Sequence, residues 1–261
     1  MILTAHQPVY LPWLGLFHKI ALADRFILFD QAQYLPKDWN NRNRIKTPQG
    51  PQWLSVPVLK KGHREKPISA IEINNTIPWG RKHWRSLNTH YSKAPYFSKY
   101  KNFFEDAYHR KWDLLSDLNL YMLQWFMDTL GIKVPVNRAG EYHFQGKKSG
   151  LVLDMCRQVG TDTYISGTLG RNYMDVDAFK AQGVRVVFQD YHHPKYPQLY
   201  GEFFSHLSIV DLLFNCGDES LGILMSGNIA SVEEANGGDL YTWARPLRWK
   251  TKRSGEAIPA S

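Results

Sequence analysis

The first 30 residues alternate between short apolar runs and a helical pattern. Residues 2–5 form an apolar run typical of a buried strand, apolar positions between residues 12 and 23 recur at helical spacing, and residues 26–29 form a second apolar run. A strand, a helix and a strand within 30 residues predict a βαβ unit with two parallel strands. The chain therefore begins as an α/β protein.

The same alternation returns in the second half of the chain. It predicts strands at residues 132–135, 163–166 and 184–188. Helices are expected between and after these strands, at residues 150–160 with Ser149 as the cap, at 176–182, and at 205–217 with Ser205 or Ser208 as the cap. The predicted fold class is α/β, with a Rossmann-like and mostly parallel sheet.

The middle of the chain is less regular. Residues 37–50 are typical of a polar loop or edge segment, and residues 53–73 indicate two short strands joined by a basic turn. Helical patterns follow at residues 79–112, with a break near Pro95, and at 113–130, closed by Gly131. We expect one α/β domain over residues 1–240, a helical, aromatic-rich basic insertion at 37–111, and a basic tail at 241–261.

Positive charge is concentrated in this insertion. The whole sequence carries a net charge of +8, and residues 37–111 hold 16 lysines and arginines against five acidic residues. Basic and aromatic side chains together suit a partner with phosphates and rings or sugars, such as a nucleotide, a nucleotide sugar, a lipid-linked glycan or RNA. A solvated basic face over an aromatic core is the alternative.

Other patterns narrow the class of protein. The sequence has no secretion-type leader and no apolar run of about 18 residues, which predicts a cytoplasmic protein without a membrane span. Cys156 and Cys216 are too few for a disulfide scaffold and are expected to be reduced and buried. Because His192 and His193 have no cysteine or aspartate at ligand spacing, no metal site is predicted.

Polar side chains follow the first two predicted strands. His6 and Gln7 come after the first strand, and Asp30 and Gln33 come after the second. Ligands of open α/β sheets bind beyond the carboxyl ends of the strands, so these residues are expected to face one crevice. His6 and Asp30 are the candidate catalytic residues, with His6 as a general base or phosphate contact. For His6, the alternative is a purely structural role.

A pair of arginines lies two residues apart in the segment WNNRNRIK. If this segment is extended, Arg42 and Arg44 share a face and are spaced to clamp a phosphate or carboxylate, with Asn43 between them. We expect the two arginines to hold a pyrophosphate. Two ordinary surface arginines are the alternative.

Two later loops are expected at the same edge of the sheet. Ser166 and Gly167 directly follow a predicted strand, where backbone amides can approach an anion closely, although a plain turn would have the same composition. After the next strand, Tyr196 and Gln198 are further candidates for substrate binding. Asp190 and His192 in that loop have the residue types of an acid–base pair, but their spacing does not show contact.

Several segments of the chain resemble the WbqC-like protein family between residues 2 and 225. They are HQPVYLPWLGLFHKIALADRFILFD, the following QxQ, WNNRNRI, YISGTLGRNYMD, HPKYPQLYGEF and LSIVDLLFNCG. The resemblance implies a context in bacterial surface-polysaccharide and O-antigen biosynthesis, and one member has been suggested to be a glycine transferase. It supplies no established catalytic residues. This chain matches the most distinctive stretch at His6, Gln7, Tyr10, Asp30, Gln33, Arg42, Asn43 and Arg44.

The layout around the first strand is also similar to that of HIGH-type nucleotidyltransferases, in which a histidine-containing loop meets ATP phosphates. The second histidine of that motif is absent here, since His18 lies well inside the predicted helix. ATP is the one cofactor that this similarity suggests.

Together these observations favour a transferase that moves glycine or another small acyl group onto an amino-sugar intermediate. Its substrate would be a phosphate-bearing small molecule or glycan. The alternative is a non-enzymatic protein that binds a nucleotide or nucleic acid through residues 37–111.

Overall fold

The computed structural model describes residues 1–59, 61–62 and 65–232. A five-stranded parallel sheet forms its centre, and a separate two-stranded antiparallel ribbon lies beside it. In chain order the strands are β1 (Ile2–His6), β2 (Arg25–Leu28), β3 (Arg42–Thr47), β4 (Gly50–Ser55), β5 (Val136–Arg138), β6 (Thr163–Ser166) and β7 (Arg185–Phe188). The sheet has the order β5-β2-β1-β6-β7, and the ribbon is β3-β4.

The chain enters the sheet at its centre. Leu3 of β1 lies opposite Arg25 of β2 on one side and opposite Tyr164 of β6 on the other. After β1, the chain adds β2 and β5 on one side of it, and then crosses to add β6 and β7 on the other side. The connections therefore change direction between β1 and β6, which is the switch point where open α/β sheets bind ligands.

Helices cover the sheet and form the insertion. They are α1 (Leu14–Ala21), α2 (Trp79–Tyr91), α3 (Phe97–His109), α4 (Leu115–Leu130), α5 (Lys148–Val159), α6 (Val176–Ala181), α7 (Ile209–Cys216) and α8 (Ser220–Met225). Local chemistry sets several ends. The Ser208 hydroxyl accepts from the Val210 amide at the start of α7, and Gly131, with a φ of 76°, ends α4 in the left-handed conformation that glycine adopts without strain.

The two faces of the sheet are covered by different helices. Val152 of α5 and Phe179 of α6 pack with Leu3 and Tyr164 on one face. On the other face, α1 and α4 meet through Phe17 and Phe126, whose ring centroids lie 5.9 Å apart. Because β1 is followed by a helix on one face and β6 by a helix on the other, a crevice opens between the loops that leave these two strands.

The insertion shares its core with the sheet. The ribbon and helices α2 and α3 lie between β2 and β5 in the chain, and their buried side chains belong to the same hydrophobic cluster as those of α1 and β2. That cluster includes Phe17, Phe26, Tyr91, Phe104 and Phe214. Removal of apolar surface from water therefore stabilises the sheet face and the insertion together.

The parallel α/β sheet predicted from the sequence is confirmed, and so is the helix break near Pro95, because α2 ends at Tyr91 and α3 begins at Phe97. Cys156 and Cys216 are free and buried, as expected. The predicted basic tail lies outside the described residues.

Residues 37–50, expected as a polar loop or an edge segment, contain strand β3, which pairs along its whole length with β4. Two other local predictions were wrong. The strand expected at residues 132–135 begins only at Val136. Ser149 does not cap α5: that position is held by Lys147, and the Ser149 hydroxyl accepts from the Asp175 amide at 2.8 Å.

Within the part of the chain that the structure describes, no helix combines the length and apolar character needed to cross a bilayer.

Candidate functional site at the carboxyl edge of the sheet

The ends of three strands lie level at the carboxyl edge. His6 of β1 is opposite Leu28 of β2, which is in turn opposite Arg138 of β5. On the other side of β1, Thr4 pairs with Ile165, so β6 ends beside the same loop. This edge gathers side chains from β1, β2, β5 and β6 around the switch point.

His6 presents an unprotonated nitrogen at this edge. Its Nδ1 lies 2.8 Å from the Gln7 carbonyl oxygen, which can only accept, so Nδ1 carries the proton and Nε2 keeps a free lone pair. Burial lowers the pKa of His6 to about 4, and the nearby Lys19 ammonium adds to the effect. His6 is therefore a neutral base at physiological pH, fixed in one tautomer.

Lys19 is a buried lysine beside this histidine. It lies on α1, is 4% exposed, and its Nζ donates to the Ala5 carbonyl oxygen at 3.0 Å. Burial lowers its pKa to about 8. No ion pair to Lys19 occurs among the described residues, so one carbonyl is the sole partner for a group with three donors. A buried ammonium of this kind favours the approach of an anion.

Asp30 occupies the edge beyond β2. It is 2% exposed, its Oδ2 lies 3.7 Å from an Arg138 guanidinium nitrogen, and its Oδ1 has no hydrogen-bond partner among the described residues. Burial raises the pKa of Asp30, and the positive charge of Arg138 opposes that shift. Arg138 also pairs with Asp117 of α4, so it links the strand end to the helix. Asp30 thus contacts Arg138 rather than His6.

The loop after β6 allows close backbone approach. A Cβ built on Gly167 would meet no other atom within 4 Å, so its backbone is open. A Cβ on Gly170 would lie 2.0 Å from the Ser166 hydroxyl oxygen, so glycine is required for the tight turn. The Thr168 hydroxyl donates to the Gln189 carbonyl at 2.7 Å and ties this loop to the end of β7.

The loop after β1 is held from outside the sheet. Gln7 accepts a long hydrogen bond of 3.4 Å from the Asn40 amide, and the Asn43 amide donates to the Leu11 carbonyl at 2.5 Å. Leu11 has a φ of 45°, a left-handed conformation that is uncommon for a leucine. Asn43 therefore stabilises a strained turn, which explains why it is buried between two partly exposed arginines.

The two arginines of strand β3 share a face, as their spacing predicts. Arg44 lies directly opposite Trp53 of β4, and the Arg42 guanidinium carbon is 4.3 Å from the Trp53 ring centroid. Trp39 completes the group, with its ring centroid 5.2 Å from that of Trp53. The arginines thus stand over indole rings on the ribbon, beside the β1 loop.

Two other predicted site residues have contacts that serve the fold. Tyr10 is fully buried, and its hydroxyl lies 2.8 Å from His83 Nδ1 and 2.6 Å from the Tyr108 hydroxyl. Gln33 forms an isolated bridge with Pro67. We leave both residues out of the proposed site.

Tyr196 and Gln198 belong to a second buried network. The Tyr196 hydroxyl donates to Asp211 at 3.0 Å, and Lys46 Nζ donates to the Gln198 side-chain oxygen at 3.2 Å. Tyr91 donates to the other Asp211 oxygen at 2.7 Å. The network joins β3, α2 and α7, so its first role is to hold these elements together.

Sequence reasoning missed Lys19 and Arg138. A signal for Lys19 existed, because it lies in the short helical run LGLFHKI, whose residues other than His18 and Lys19 are apolar or glycine. A lysine in such a helix has no exposed face to occupy. Arg138 carried no comparable signal, since its importance depends on strand β5 lying beside β2.

The insertion is basic, but most of its aromatic side chains are not surface groups. Tyr91, Phe97, Tyr100, Phe104 and Tyr108 are all buried in the main core. Trp39 and Trp53 are the large aromatic exceptions within the described part of residues 37–111, at 41% and 42% exposure. A continuous stacking track for nucleic acid is therefore absent from that part.

Comparison with known proteins identifies the family of the chain. The WbqC-like protein family matches residues 7–223, a span that includes Lys19, Asp30, both ribbon arginines and the β6 loop. A Mycobacterium tuberculosis protein (strain ATCC 25618 / H37Rv) named "Uncharacterized protein Rv1507c" is 38% identical over 216 residues, which cover 82% of this chain and 93% of that protein. No solved structure gives a significant match. The chain belongs to the WbqC-like protein family.

Proposed function

We propose that this protein is a transferase that binds a phosphate-bearing substrate in the crevice between the β1 and β6 loops. We assign it to bacterial surface-glycan and O-antigen biosynthesis in the cytoplasm, with glycine or another small acyl group as the transferred unit. The observation that carries the proposal is a buried Lys19 ammonium, without an ion pair in the described part of the chain, beside a neutral His6 at the switch point.

Lys19 supplies the reason for an anionic substrate. A buried ammonium with one carbonyl partner loses much of its hydration without a compensating charge. A phosphate oxygen at this edge would provide that charge, and the open backbone at Gly167 would allow further amide contacts. Binding of the anion would raise the pKa values of both Lys19 and His6, because a negative charge favours their protonated forms.

His6 supplies the base for acyl transfer. The acceptor amine attacks an activated carbonyl carbon and loses a proton to Nε2, while the bond from that carbon to its leaving group breaks. The leaving group departs with the bonding electron pair, and the imidazolium then returns its proton to the leaving group or to water. The Gln7 carbonyl keeps Nδ1 as the donor, so Nε2 faces the reaction throughout.

ATP or a nucleotide sugar would provide the phosphate in this scheme. An acyl adenylate gives the activated carbonyl that attack by an amine requires, with AMP as the leaving group. Asp30 and Arg138 would orient the acceptor from the β2 side of the crevice.

A thermal-shift series tests the proposed ligand class. We expect ATP or a nucleotide sugar, at about 100 times its Kd, to stabilise the protein by about 2.7 kcal/mol, or about 5–10 °C in Tm. Lys19→Met should abolish most of this shift while the variant remains folded. The proposal fails if no phosphate-bearing ligand raises the Tm, or if Lys19→Met gives the same shift as the wild type.

Turnover of the ligand so identified tests His6. We expect His6→Ala to bind it but to lower the rate by about 10²–10⁴-fold, the usual contribution of a general base. His109→Ala is the matched control, because His109 Nδ1 also bonds a backbone carbonyl, that of Glu105, but lies exposed on α3. An unchanged rate in folded His6→Ala would remove His6 from the mechanism.

A further inference from the structure

The ribbon presents a platform of two indoles and two guanidiniums, formed by Trp39, Arg42, Arg44 and Trp53. The Arg44 guanidinium carbon lies 6.0 Å from the Trp39 ring centroid and 5.6 Å from that of Trp53. Both indoles are about two-fifths exposed. Exposed tryptophans are costly on a solvated surface, so a pair that brackets two cations indicates a contact surface.

Two arginines elsewhere in the chain have acidic partners, whereas the platform arginines have none among the described residues. Arg110 pairs with Asp106, and Arg138 pairs with Asp117. Among the described residues neither Arg42 nor Arg44 forms an ion pair, and the Nε of each is buried without a hydrogen-bond partner. A terminal nitrogen of Arg42 donates to the Lys37 carbonyl, which holds that guanidinium in place. Ordered guanidiniums with unfilled donors are suited to an external oxyanion.

A groove of 350 Å³ continues from Trp53 along β4 to α2. That volume lies in the range that holds a small organic ligand. Its lining combines apolar surfaces with amide, hydroxyl and ammonium groups and contains no acidic residue, as shown by Gln52, Trp53, Ser55, Ile77, Lys82 and Ser86. The Gln52 amide donates to the Ser86 hydroxyl at 3.2 Å, so these two polar groups already converge.

We propose that this platform and groove bind a saccharide that carries a carboxylate or a phosphate. The indole faces would cover the apolar C–H face of a sugar ring, and Arg42 and Arg44 would bind its anionic group. The side chains of Gln52 and Ser86 would form hydrogen bonds with the hydroxyl groups of the sugar. The proposal rests on the proposed function and names its acceptor class: a glycan whose acidic sugar unit lies on the ribbon beside the β1 loop, while its reacting amine enters the crevice.

The ring geometry favours a saccharide over nucleic acid. The Trp39 and Trp53 centroids are 5.2 Å apart and their planes are tilted by 40°, which leaves no slot for a base between them. Binding of single strands relies on successive bases stacking on successive aromatic residues. Two adjacent indoles, with the neighbouring aromatics buried, provide one ring-sized surface.

Titration with three matched sugars tests the proposal. Glucuronic acid, glucose 6-phosphate and glucose share a ring and differ in the group at C6, and binding to the full chain is followed by NMR perturbation of the indole N–H signals. We expect one or both anionic sugars to bind at least tenfold more tightly than glucose. Comparison of the two identifies carboxylate or phosphate as the source of the charge.

Variants locate the site. Arg44→Met and Trp53→Ala should each weaken the anionic sugar about tenfold, and Trp53→Phe should lose less because it keeps a ring. Arg110→Met is the matched control, since Arg110 also stands over an aromatic ring, that of Tyr121 at 4.9 Å, and should bind normally. If Trp53→Ala does not fold, Arg44→Met and Arg42→Met still test the same surface.

Three results would overturn the proposal: equal binding of all three sugars, binding unaffected by the ribbon variants, or tighter binding of oligo(dT) at the same indoles. Lys19→Met separates this failure from failure of the proposed function. It should abolish the ATP shift but leave sugar binding to the ribbon unchanged.

Discussion

Two buried lysines of this protein have opposite surroundings. Lys46 of β3 is fully buried, donates to the Gln198 side chain and the Glu202 carbonyl, and faces the Asp211 carboxylate. Lys19 of α1 is nearly as buried but contacts one carbonyl and a histidine. The first lysine is satisfied by the protein, whereas the second has no anionic partner among residues 1–59, 61–62 and 65–232.

Under the proposed function, the difference separates a lysine that serves the fold from one that serves a ligand. Near Lys46, the Asp211 carboxylate accepts hydrogen bonds from the Tyr91 and Tyr196 hydroxyls. Each of these charged and polar groups therefore has a partner. Such a network fixes the relative positions of β3, α2 and α7. Around Lys19 the missing charge lies at the switch point, where a ligand is expected. The burial of a lysine therefore indicates its role only when the partners of its ammonium group are also known.

Removing the carboxylate from the satisfied network should have the largest effect on stability. Asp211→Ala leaves two tyrosine hydroxyls without their acceptor and the buried Lys46 without a nearby negative charge, and we expect the free energy of unfolding to fall by about 3–5 kcal/mol. Urea denaturation of the wild type and the variant measures this free energy. Asp128→Ala, which removes an exposed pair with Lys133, should change the same quantity by less than about 1 kcal/mol. Equal losses in the two variants would contradict the assignment.

The unsatisfied lysine should respond in the opposite direction. Lys19→Met replaces an unpaired buried cation with an apolar side chain, so we expect the free energy of unfolding at pH 7 to rise by about 1–3 kcal/mol. The same denaturation experiment applies. A loss of more than about 2 kcal/mol would mean that Lys19 serves the fold rather than a ligand.

The pH dependence of stability sharpens the comparison further. Burial raises the pKa of Asp211 from 3.8 to about 6. The stability that this shift contributes is therefore fully present below pH 3.8 and is lost as pH rises through 6. Burial lowers the pKa of Lys19 from 10.5 to about 8, so its contribution is present above pH 10.5 and is lost as pH falls through 8.

Difference curves isolate each group. Relative to Asp211→Asn, the wild type should lose about 1–3 kcal/mol between pH 4 and 7. Relative to Lys19→Met, it should lose a similar amount as pH falls from 10.5 to 7.5. A stability difference that does not change with pH would contradict the pKa shift of the group concerned, Asp211 or Lys19.

The sequence predicted the sheet well because its strands obey simple rules. Strand β6 was located residue for residue, since TYIS is rich in strand-forming residues and lies between Gly160 and Gly167. Strand β3 was missed because RNRIKT is polar by composition. Its inward positions are filled by Asn43 and Ile45, and Asn43 is buried only because the strained β1 loop offers it a carbonyl.

The site was predicted less completely than the fold. His6 and Asp30 were located at the correct edge by the rule that ligands lie beyond strand ends. Lys19 and Arg138 reach the same edge through a helix packing and a strand pairing that no local pattern encodes. Tyr196 and Gln198 follow strand β7 in sequence, but the loop carries them to Asp211 and Lys46 instead.

The central position of β1 has a consequence for biosynthesis. Thr4 pairs with Ile165, 161 residues later, so β1 gains its second neighbour long after it is made. At about 5–20 residues per second, a ribosome needs roughly 10–30 s to supply that partner. Throughout this interval one edge of an apolar strand carries unpaired amides and carbonyls, the kind of surface that chaperones bind. A nascent chain shorter than about 165 residues is thus a species prone to aggregation, and the rate of translation becomes a determinant of yield.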